Sequence, residues 1–440
     1  MFTRKDLMRL LVPLIIEQIL IVLVGMVNVV MAAAVGEAAV SGVSLVESIN
    51  ILIVQIMSAL ATGGAVISSQ YLGKNQSENA CKAAGQLIGV TSFLSVVVTA
   101  IALVGNTGLL KVIFGRVDES VMNNAVIYFR ITALSYPFIA VYNSCAALFR
   151  SMGNSKVSMA VSMAVNIINV TGNAVCIYVF HLGVAGLAIP TLFCRMAAAV
   201  VMMILIQHPG NEVRIRRLDE LKPDMSMIRR ILSVGIPNGL ESGMFQFGKL
   251  MLQSLVSSLG TAALASYAVS SNLVTLVYLP GNAIGLGLIT IVGQCVGAGE
   301  NKQAKRYSML LTGINYGILL VLCTAVIVFA KPLVDVYNLS EEAAGICAEM
   351  ITAHSYAMII WPLAFTIPYA LRASMDAKFT MVVAIFSMWT FRIASAYFFV
   401  RYTNAGVMGI WYGMFIDWGF RAIVFSLRFH GIEKRAVSVS

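Results

Sequence analysis

Charge is scarce in this chain: only 11% of its 440 residues are Asp, Glu, Lys or Arg, against about 25% in a soluble globular domain. A soluble enzyme and a charge-rich disordered chain are both excluded on that ground. Cysteine is limited to seven residues and histidine to four, with no C-x-x-C pair and no His/Cys cluster. An odd set of thiols, mostly inside apolar runs, fits small buried hydrophobes and excludes a secreted disulfide scaffold or a zinc site. No G-x-x-x-x-G-K-[ST] loop is present, which argues against ATP-driven transport within this chain, and there is no H-E-x-x-H or G-x-S-x-G. A cleavable signal peptide is also missing: the apolar run from about Leu10 is too long for one and serves as a first membrane span.

What the chain does have is apolar length. Residues of the AVILMFWYC set make up 59% of it. At about 22 residues per span, twelve spans would take up about 60% of the chain. Runs bounded by charge or by Gly, Pro and Asn predict helices near 10–34, 44–70, 85–106, 122–147, 157–180, 184–206, 229–258, 263–293, 307–330, 344–370, 378–400 and 406–428. They must be helices, because lipid offers no partner to an open backbone group.

The formal charge of +10 would suggest nucleic acid in a soluble protein. Here the basic residues lie at the ends of apolar runs, so the expected partner is the lipid bilayer and no nucleic acid. Alternate sides of a twelve-span chain carry 21 and four of the 30 Lys and Arg residues, the remaining five falling within spans. The rich side holds Arg4, Lys5 and Arg9, the run Arg214–Arg230 with Arg216 and Arg217, and Arg428, Lys434 and Arg435; the poor side has only Lys111, Arg116, Lys331 and Arg401. Positive residues stay inside, so a multi-pass protein of the cell membrane with both termini cytoplasmic is predicted.

The longest hydrophilic break, His208 to Arg230, divides the chain into an N-terminal six-helix bundle (1–207), a cytoplasmic linker (208–228) and a C-terminal six-helix bundle (229–440). Shifted by 224, the sequence matches itself without gaps from about Leu10 to Gly89. Pro13 falls on Pro237, Glu17 on Glu241, Gly36 on Gly260, Gly63 on Gly287, Gln70 on Gln294 and Gly73 on Gly297. At a shift of 222, Arg150 falls on Arg372 and Lys156 on Lys378. Chance similarity of apolar helices would match Leu and Val, not Pro, Glu, Gln and loop Gly in register. Six spans return the chain to its starting side, so the halves are parallel repeats, with a central cleft suited to alternating access.

Acids inside the spans are Glu17, Glu47, Glu241, Glu349 and Asp417. Each costs about 2.5–3.5 kcal/mol at the bilayer centre and calls for a reason. Glu17 and Glu241 each follow a proline by four residues on the first helix of their half, and either a structural hydrogen bond or a proton or cation site accounts for them. Asn166, Asn169 and Asn173 share a helix face, and Asn28 lies eleven residues, almost three turns, beyond Glu17. Glu17, Asn28, Asn169 and Asn173 are therefore candidates for one ion-coupling pocket, an oxygen set suited to Na+ or to a protonatable acid. Interhelical amide bonds are the alternative. Lys249 stands eight residues beyond Glu241 on nearly the same face and is expected either to pair with a carboxylate or to have its pKa lowered by burial; Glu241, Gln246, Lys249, Glu47 and His354 are the candidate substrate-cleft residues. Glu47 is equally explained by snorkelling to the interface, His354 by a structural role, and Arg392 with Asp417 by an ion pair. The runs Thr62-Gly63-Gly64-Ala65 and Gly285-Leu286-Gly287 predict close helix packing, with a local break at Pro280-Gly281.

The segments "VGEAAVSGVSLVESIN", "GIPNGLESGMFQFGKL", "LGTAALASYAV" and "ITIVGQCVGAGENKQAKR" resemble the multidrug and toxic compound extrusion (MATE) transporters, as does "ALFRSMGNSK" with its Arg…Gly motif. The resemblance covers nearly the whole chain and both halves. It implies twelve helices in a V-shaped pair of bundles and no enzymatic activity. It further implies an antiporter that exports small organic, often cationic, amphipathic compounds in exchange for Na+ or H+, with no cofactor beyond that coupling ion. A monomer is expected. Many members carry an Asp on the first helix after a Val, where this chain has Val27-Asn28. The family's polar pair on the fifth helix falls on Asn169 and Asn173, the latter an acid in some proton-coupled members. Glu17 is then the replacement candidate. On the seventh helix, some Na+-coupled members place an acid about one turn beyond the position of Glu241. Two other readings are a lipid-linked oligosaccharide flippase of the same superfamily, which calls for a more basic cleft, and a non-transporting membrane receptor or scaffold.

Overall fold

The structure is a computed structural model that describes residues 2–115, 118–215, 222–403 and 405–432. Of the charges used for topology, Arg116, Arg216, Arg217, Lys434 and Arg435 lie outside the described residues, as does 216–221 of the expected linker. The described chain is all helix: α1 (Arg4–Val35), α2 (Glu37–Gly73), α3 (Ser77–Phe114), α4 (Glu119–Ala133), α5 (Tyr136–Ser151), α6 (Ser155–Ala174) and α7 (Ala185–Ile206) in the first half. The second half has α8 (Met225–Ser257), α9 (Thr261–Gly297), α10 (Asn301–Val328), α11 (Ala330–Asp335), α12 (Glu341–Ala357), α13 (Ile367–Ala373), α14 (Ala377–Ser387), α15 (Ala394–Tyr402) and α16 (Met408–His430). Eight helical stretches are long and apolar enough to cross a membrane alone, and two bent pairs raise the number to ten. The more polar α8 and α16, which carry Glu241 with Lys249 and Asp417 with Arg421, complete the twelve spans.

Several helices run well past the predicted ends, because backbone hydrogen bonding continues into the interface where hydropathy has already fallen. At 37 residues, α2 is about 55 Å long, against a hydrocarbon core of about 30 Å. α1 starts at Arg4 rather than Leu10, held by a reciprocal cap: Thr3 N–H donates to Asp6 at 2.9 Å and Asp6 N–H to the Thr3 hydroxyl at 3.3 Å. Where a span does bend, proline supplies the cause. α4 and α5 meet at 47° just before Pro137, and α12 and the segment Pro362–Ala373 at 68° where Pro362 and Pro368 remove two backbone donors. The break expected at Pro280-Gly281 does not occur. α9 runs straight through it, since membrane helices re-satisfy the carbonyl a proline frees, and Gly281 instead makes room for the Trp361 ring.

Backbone conformation carries the repeat as clearly as the side chains do. Left-handed φ values recur at matched turns: Gly36 at 132° and Gly260 at 102°, Asn75 at 58° and Gly299 at 78°, Gly153 at 74° and Met375 at 66°. Gly36 and Gly260 each link the first and second helices of their half in an extended positive-φ conformation that is essentially restricted to glycine, where another residue would be strained by about 1–3 kcal/mol.

The chain forms two compact units, Phe2–Gly239 and Leu240–Ser440. The first is packed around Val43, Val46, Phe129, Tyr136 and Leu187, the second around Leu252, Met350, Trp361, Met388, Trp411 and Trp418. Many large apolar side chains face outward, Val104 to 91%, as a lipid-solvated surface requires. In lipid the attraction between helices comes from close packing, and the small-residue runs serve that end. A Cβ at Gly64 would collide with Leu87, one at Gly63 with the Ile231 carbonyl, and one at Gly285 with the Tyr369 ring.

Candidate functional site

Glu17 lies on α1, 4% exposed, and each of its two carboxylate oxygens accepts from a neutral donor on a neighbouring helix, with the Arg150 charge within electrostatic reach. Ser158 of α6 donates to Oε2 at 3.0 Å and Tyr142 of α5 to Oε1 at 3.5 Å. Neither partner was among the candidates from sequence, although Ser158 falls on Thr380 at the same 222-residue shift that pairs Arg150 with Arg372.

The expected four-residue pocket is not one site. The amides of Asn28 and Asn173 meet at 3.0 Å, Asn173 reaches Asn169 at 3.4 Å, and Asn169 donates to the Thr191 hydroxyl of α7 at 3.0 Å. Asn166 turns to Ser162 at 3.4 Å instead. Glu17 shares a face of α1 with Asn28, but eleven residues of helix put about 16 Å between them, whereas Na+ or Ca2+ needs its oxygens within about 2.6 Å of the ion. No single ion is held by Glu17 and the asparagines together.

Glu47 is half-buried and tied into the protein, not snorkelling: Tyr128 of α4 donates to Oε1 at 2.6 Å and Asn50 donates to the same oxygen at 2.9 Å. Tyr136 of α5 donates in turn to Asn50 at 2.7 Å. Asn50, Tyr128 and Tyr136 had given no signal in the sequence, because each is a lone polar residue in an apolar run.

In the second unit the repeat mate of Glu17 has a different partner. Arg372 Nη2 donates to Glu241 Oε1 at 2.7 Å, while its Nε donates to Thr380 at 3.4 Å and its guanidinium lies 5.1 Å from the Tyr369 ring centroid. Lys249 therefore does not pair with Glu241, which corrects the sequence expectation: eight residues along a helix span about 12 Å. Its ammonium instead lies 5.4 Å from the centroid of Phe245, and among the described residues it makes no ion pair or hydrogen bond. The side chain is exposed at the surface of its unit, within a span where a charge marks a functional position.

The same Phe245 ring has a second cation, the Arg392 guanidinium, at 5.3 Å. Arg392 is 6% exposed, and its Nε has no partner. Its nearest acid is Asp417 at 3.8 Å, but that carboxylate is held more closely by Arg421 at 2.8 Å and by the Ser387 hydroxyl. Arg421 also donates to the Ala384 carbonyl at 3.0 Å. The expected Arg392–Asp417 ion pair is present, on Oδ2 of a carboxylate whose Oδ1 is taken by Arg421 and Ser387. A cation over an aromatic ring recovers about 0.5–2 kcal/mol, less than the 2.5–3.5 kcal/mol or so that a charge costs deep in the bilayer.

His354 is enclosed by Trp411 and Trp418, ring centroids 4.9 and 5.2 Å away, and neither ring nitrogen has a hydrogen-bond partner. It packs as an aromatic plate. Gln246 is half-buried.

Comparison with known proteins agrees with this architecture. The MatE family profile matches residues 13–175 and 237–398, starting at the repeat-related Pro13 and Pro237. An "Uncharacterized transporter YisQ" of Bacillus subtilis is 26% identical over 94% of this chain and 91% of its own. A "Probable multidrug resistance protein NorM" of Thermotoga maritima is 24% identical over 99% of this chain and 94% of its own. A solved outward-facing structure of a multidrug resistance MATE family transporter has the same fold, with a TM-score of 0.92 at 19% identity, covering 98% of this chain and 96% of that one. With most of both halves matched and their turns repeated in register, this multi-pass, non-enzymatic membrane protein belongs to the MatE family of transporters.

Proposed function

We propose that this transporter exports small amphipathic organic compounds across the cell membrane in exchange for Na+ or H+, by alternating access and as a monomer. The observation that carries the reading is the treatment of the two repeat-related carboxylates. Glu241 is neutralised by Arg372, whereas Glu17 is buried among the hydroxyls of Tyr142 and Ser158. A carboxylate that accepts hydrogen bonds from hydroxyls can exchange them for a proton or Na+, with the Arg150 charge within electrostatic reach, and its shell of oxygens suits a hard cation. Coupling therefore rests on Glu17 with Tyr142 and Ser158. The Asn28, Asn169 and Asn173 cluster, which lacks an acid, orients the substrate or lines its path. No cofactor enters this reading. The cationic character that the family resemblance implies for the substrate gains no support from Glu241, which Arg372 neutralises.

Efflux of a fluorescent dye from proteoliposomes, with a pH gradient and a Na+ gradient imposed separately, tests the proposal. One of the two gradients is expected to drive efflux, and indifference to both would refute antiport.

The orientation is open to labelling. Single cysteines introduced at Gly210 and at the C-terminus are expected to react with a membrane-impermeant maleimide only after the cells are opened. Reaction at either position in intact cells would overturn a cytoplasmic linker and C-terminus.

A further inference from the structure

The acids in the spans of the second unit are nearly all committed. Glu241 is paired with Arg372, and Asp417 with Arg421. At the end of α16, Asp376 holds Arg428 through two bonds of 2.7 and 3.1 Å. Glu349 sits exposed on α12. Lys249 on α8 has no acid, and Arg392 between α14 and α15 shares Asp417 with Arg421 and keeps its Nε unpartnered; both lie against the ring of Phe245. Each is within about 5.4 Å of that one centroid, and the two cations lie within electrostatic reach of each other.

We propose that Lys249 and Arg392 form a binding site for the anionic head (carboxylate, sulfonate or phosphate) of an organic substrate whose apolar body lies along the neighbouring aromatic wall. Arg392 brings a planar fork of donors that matches an anion's oxygens and is more than nine-tenths buried with its Nε unpartnered. Lys249 brings a mobile point charge that solvent reaches. The aromatic wall is built from stacked rings: Tyr278 and Trp361 with centroids 6.1 Å apart and planes at 12°, then Trp361 and Phe365 at 5.2 Å and 18°. Tyr278 lies within electrostatic reach of Arg392, which joins the wall to the charged end.

The pair is no requirement of the fold. In the first repeat the matching positions are Gly25 and Val170, so one half of the protein carries two cations where the other carries none. An unpaired charge kept in a span on one side of a repeat serves that side's ligand. The inference rests on the transport reading for the word substrate, but the site itself can be tested by equilibrium binding.

The full-length protein in phosphatidylcholine nanodiscs is titrated calorimetrically, without any gradient, with naphthalene-2-sulfonate and with its cationic counterpart 2-naphthyltrimethylammonium. The wild-type protein is expected to prefer the sulfonate. Lys249→Met is expected to weaken sulfonate binding by about ten-fold or more, Lys249→Arg to retain it, and Lys249→Glu to transfer the preference to the ammonium. Lys249 is accessible and unpaired, so these variants should fold, and an unchanged elution profile checks that they do. Equal sulfonate affinity in wild type and Lys249→Met, or a wild-type preference for the ammonium, would overturn the proposal.

Discs with about one third phosphatidylglycerol separate two sources of the head group. If that lipid displaces the sulfonate from the wild-type protein, a lipid phosphate is the natural occupant; if it does not, the occupant is a free organic anion. Both outcomes uphold the site. A protein that binds the sulfonate but responds to neither gradient refutes antiport and leaves the site standing, while gradient-driven efflux without sulfonate binding does the reverse.

Discussion

Glu17→Gln protein is expected to reach the membrane and fold, with its gradient-driven efflux reduced to the level of protein-free vesicles. Glutamine is the same shape, and its carbonyl oxygen still accepts from Ser158 or Tyr142, at 3.0 and 3.5 Å from the carboxylate in the native chain. The packing of α1 against α5 and α6 is therefore kept. What is lost is the one capacity a coupling site needs, that of alternating between a bound cation and a bare carboxylate. Glu17→Asp keeps the charge but pulls it back by one methylene, so it retains part of the activity. Tyr142→Phe removes the longer of the two hydrogen bonds and has the smallest effect. Efflux at imposed ΔpH and ΔNa+, compared at equal protein content, checks the series. If Glu17→Gln transports with the same gradient dependence as the wild type, Glu17 has no part in coupling, and Glu47 becomes the next carboxylate to examine in that half.

The second large effect is on stability. Arg372→Met leaves the Glu241 carboxylate in a site where its side chain is only 16% exposed, with no positive partner. Removing one member of a buried pair costs about 3–5 kcal/mol, because the remaining charge is stranded, while removing both members costs far less. Arg372→Met is therefore expected to lose about 3 kcal/mol, and the double variant Glu241→Gln/Arg372→Met to recover most of that loss. Glu241→Gln alone falls between them, since Arg372 keeps Thr380 and the Tyr369 ring. Unfolding by denaturant in detergent micelles gives all three values and the coupling between the two residues. A double variant no more stable than Arg372→Met would mean that Arg372 acts through packing, not charge.

The two carboxylates also mark where reading the chain as a string runs out. Glu17 and Glu241 match at a shift of 224, and the arginines and hydroxyl residues around them (Arg150 and Arg372, Ser158 and Thr380) match at 222. The repeat thus supplies both halves with the same parts. In the first half the hydroxyl donates to the acid, and in the second the arginine takes the acid and also donates to the hydroxyl. How the helices approach one another decides this, and no pattern of residue types records it. Lys249 illustrates the converse error. On the strength of helical periodicity it was assigned to Glu241, but periodicity reports the face of a helix and not the distance along it.

The number of spans, the six-and-six division, the internal repeat and the family could all be read from the order of residues alone. Lipid is the reason: it forbids open backbone groups, so a long apolar run has only one structure available to it, and polar or glycine positions repeated in register across such runs can only reflect duplication. Which polar groups meet was settled only by the tertiary structure. Glu241 finds Arg372 131 residues away, Glu17 finds Ser158 141 residues away, and Asn28 finds Asn173 145 residues away. Each contact depends on the tilt and rotation of helices that share no local sequence. The same dependence parted Glu17 from Asn28 and left Lys249 and Arg392 facing one phenylalanine, because side chains on a common face still lie about 1.5 Å apart along the axis for every residue between them.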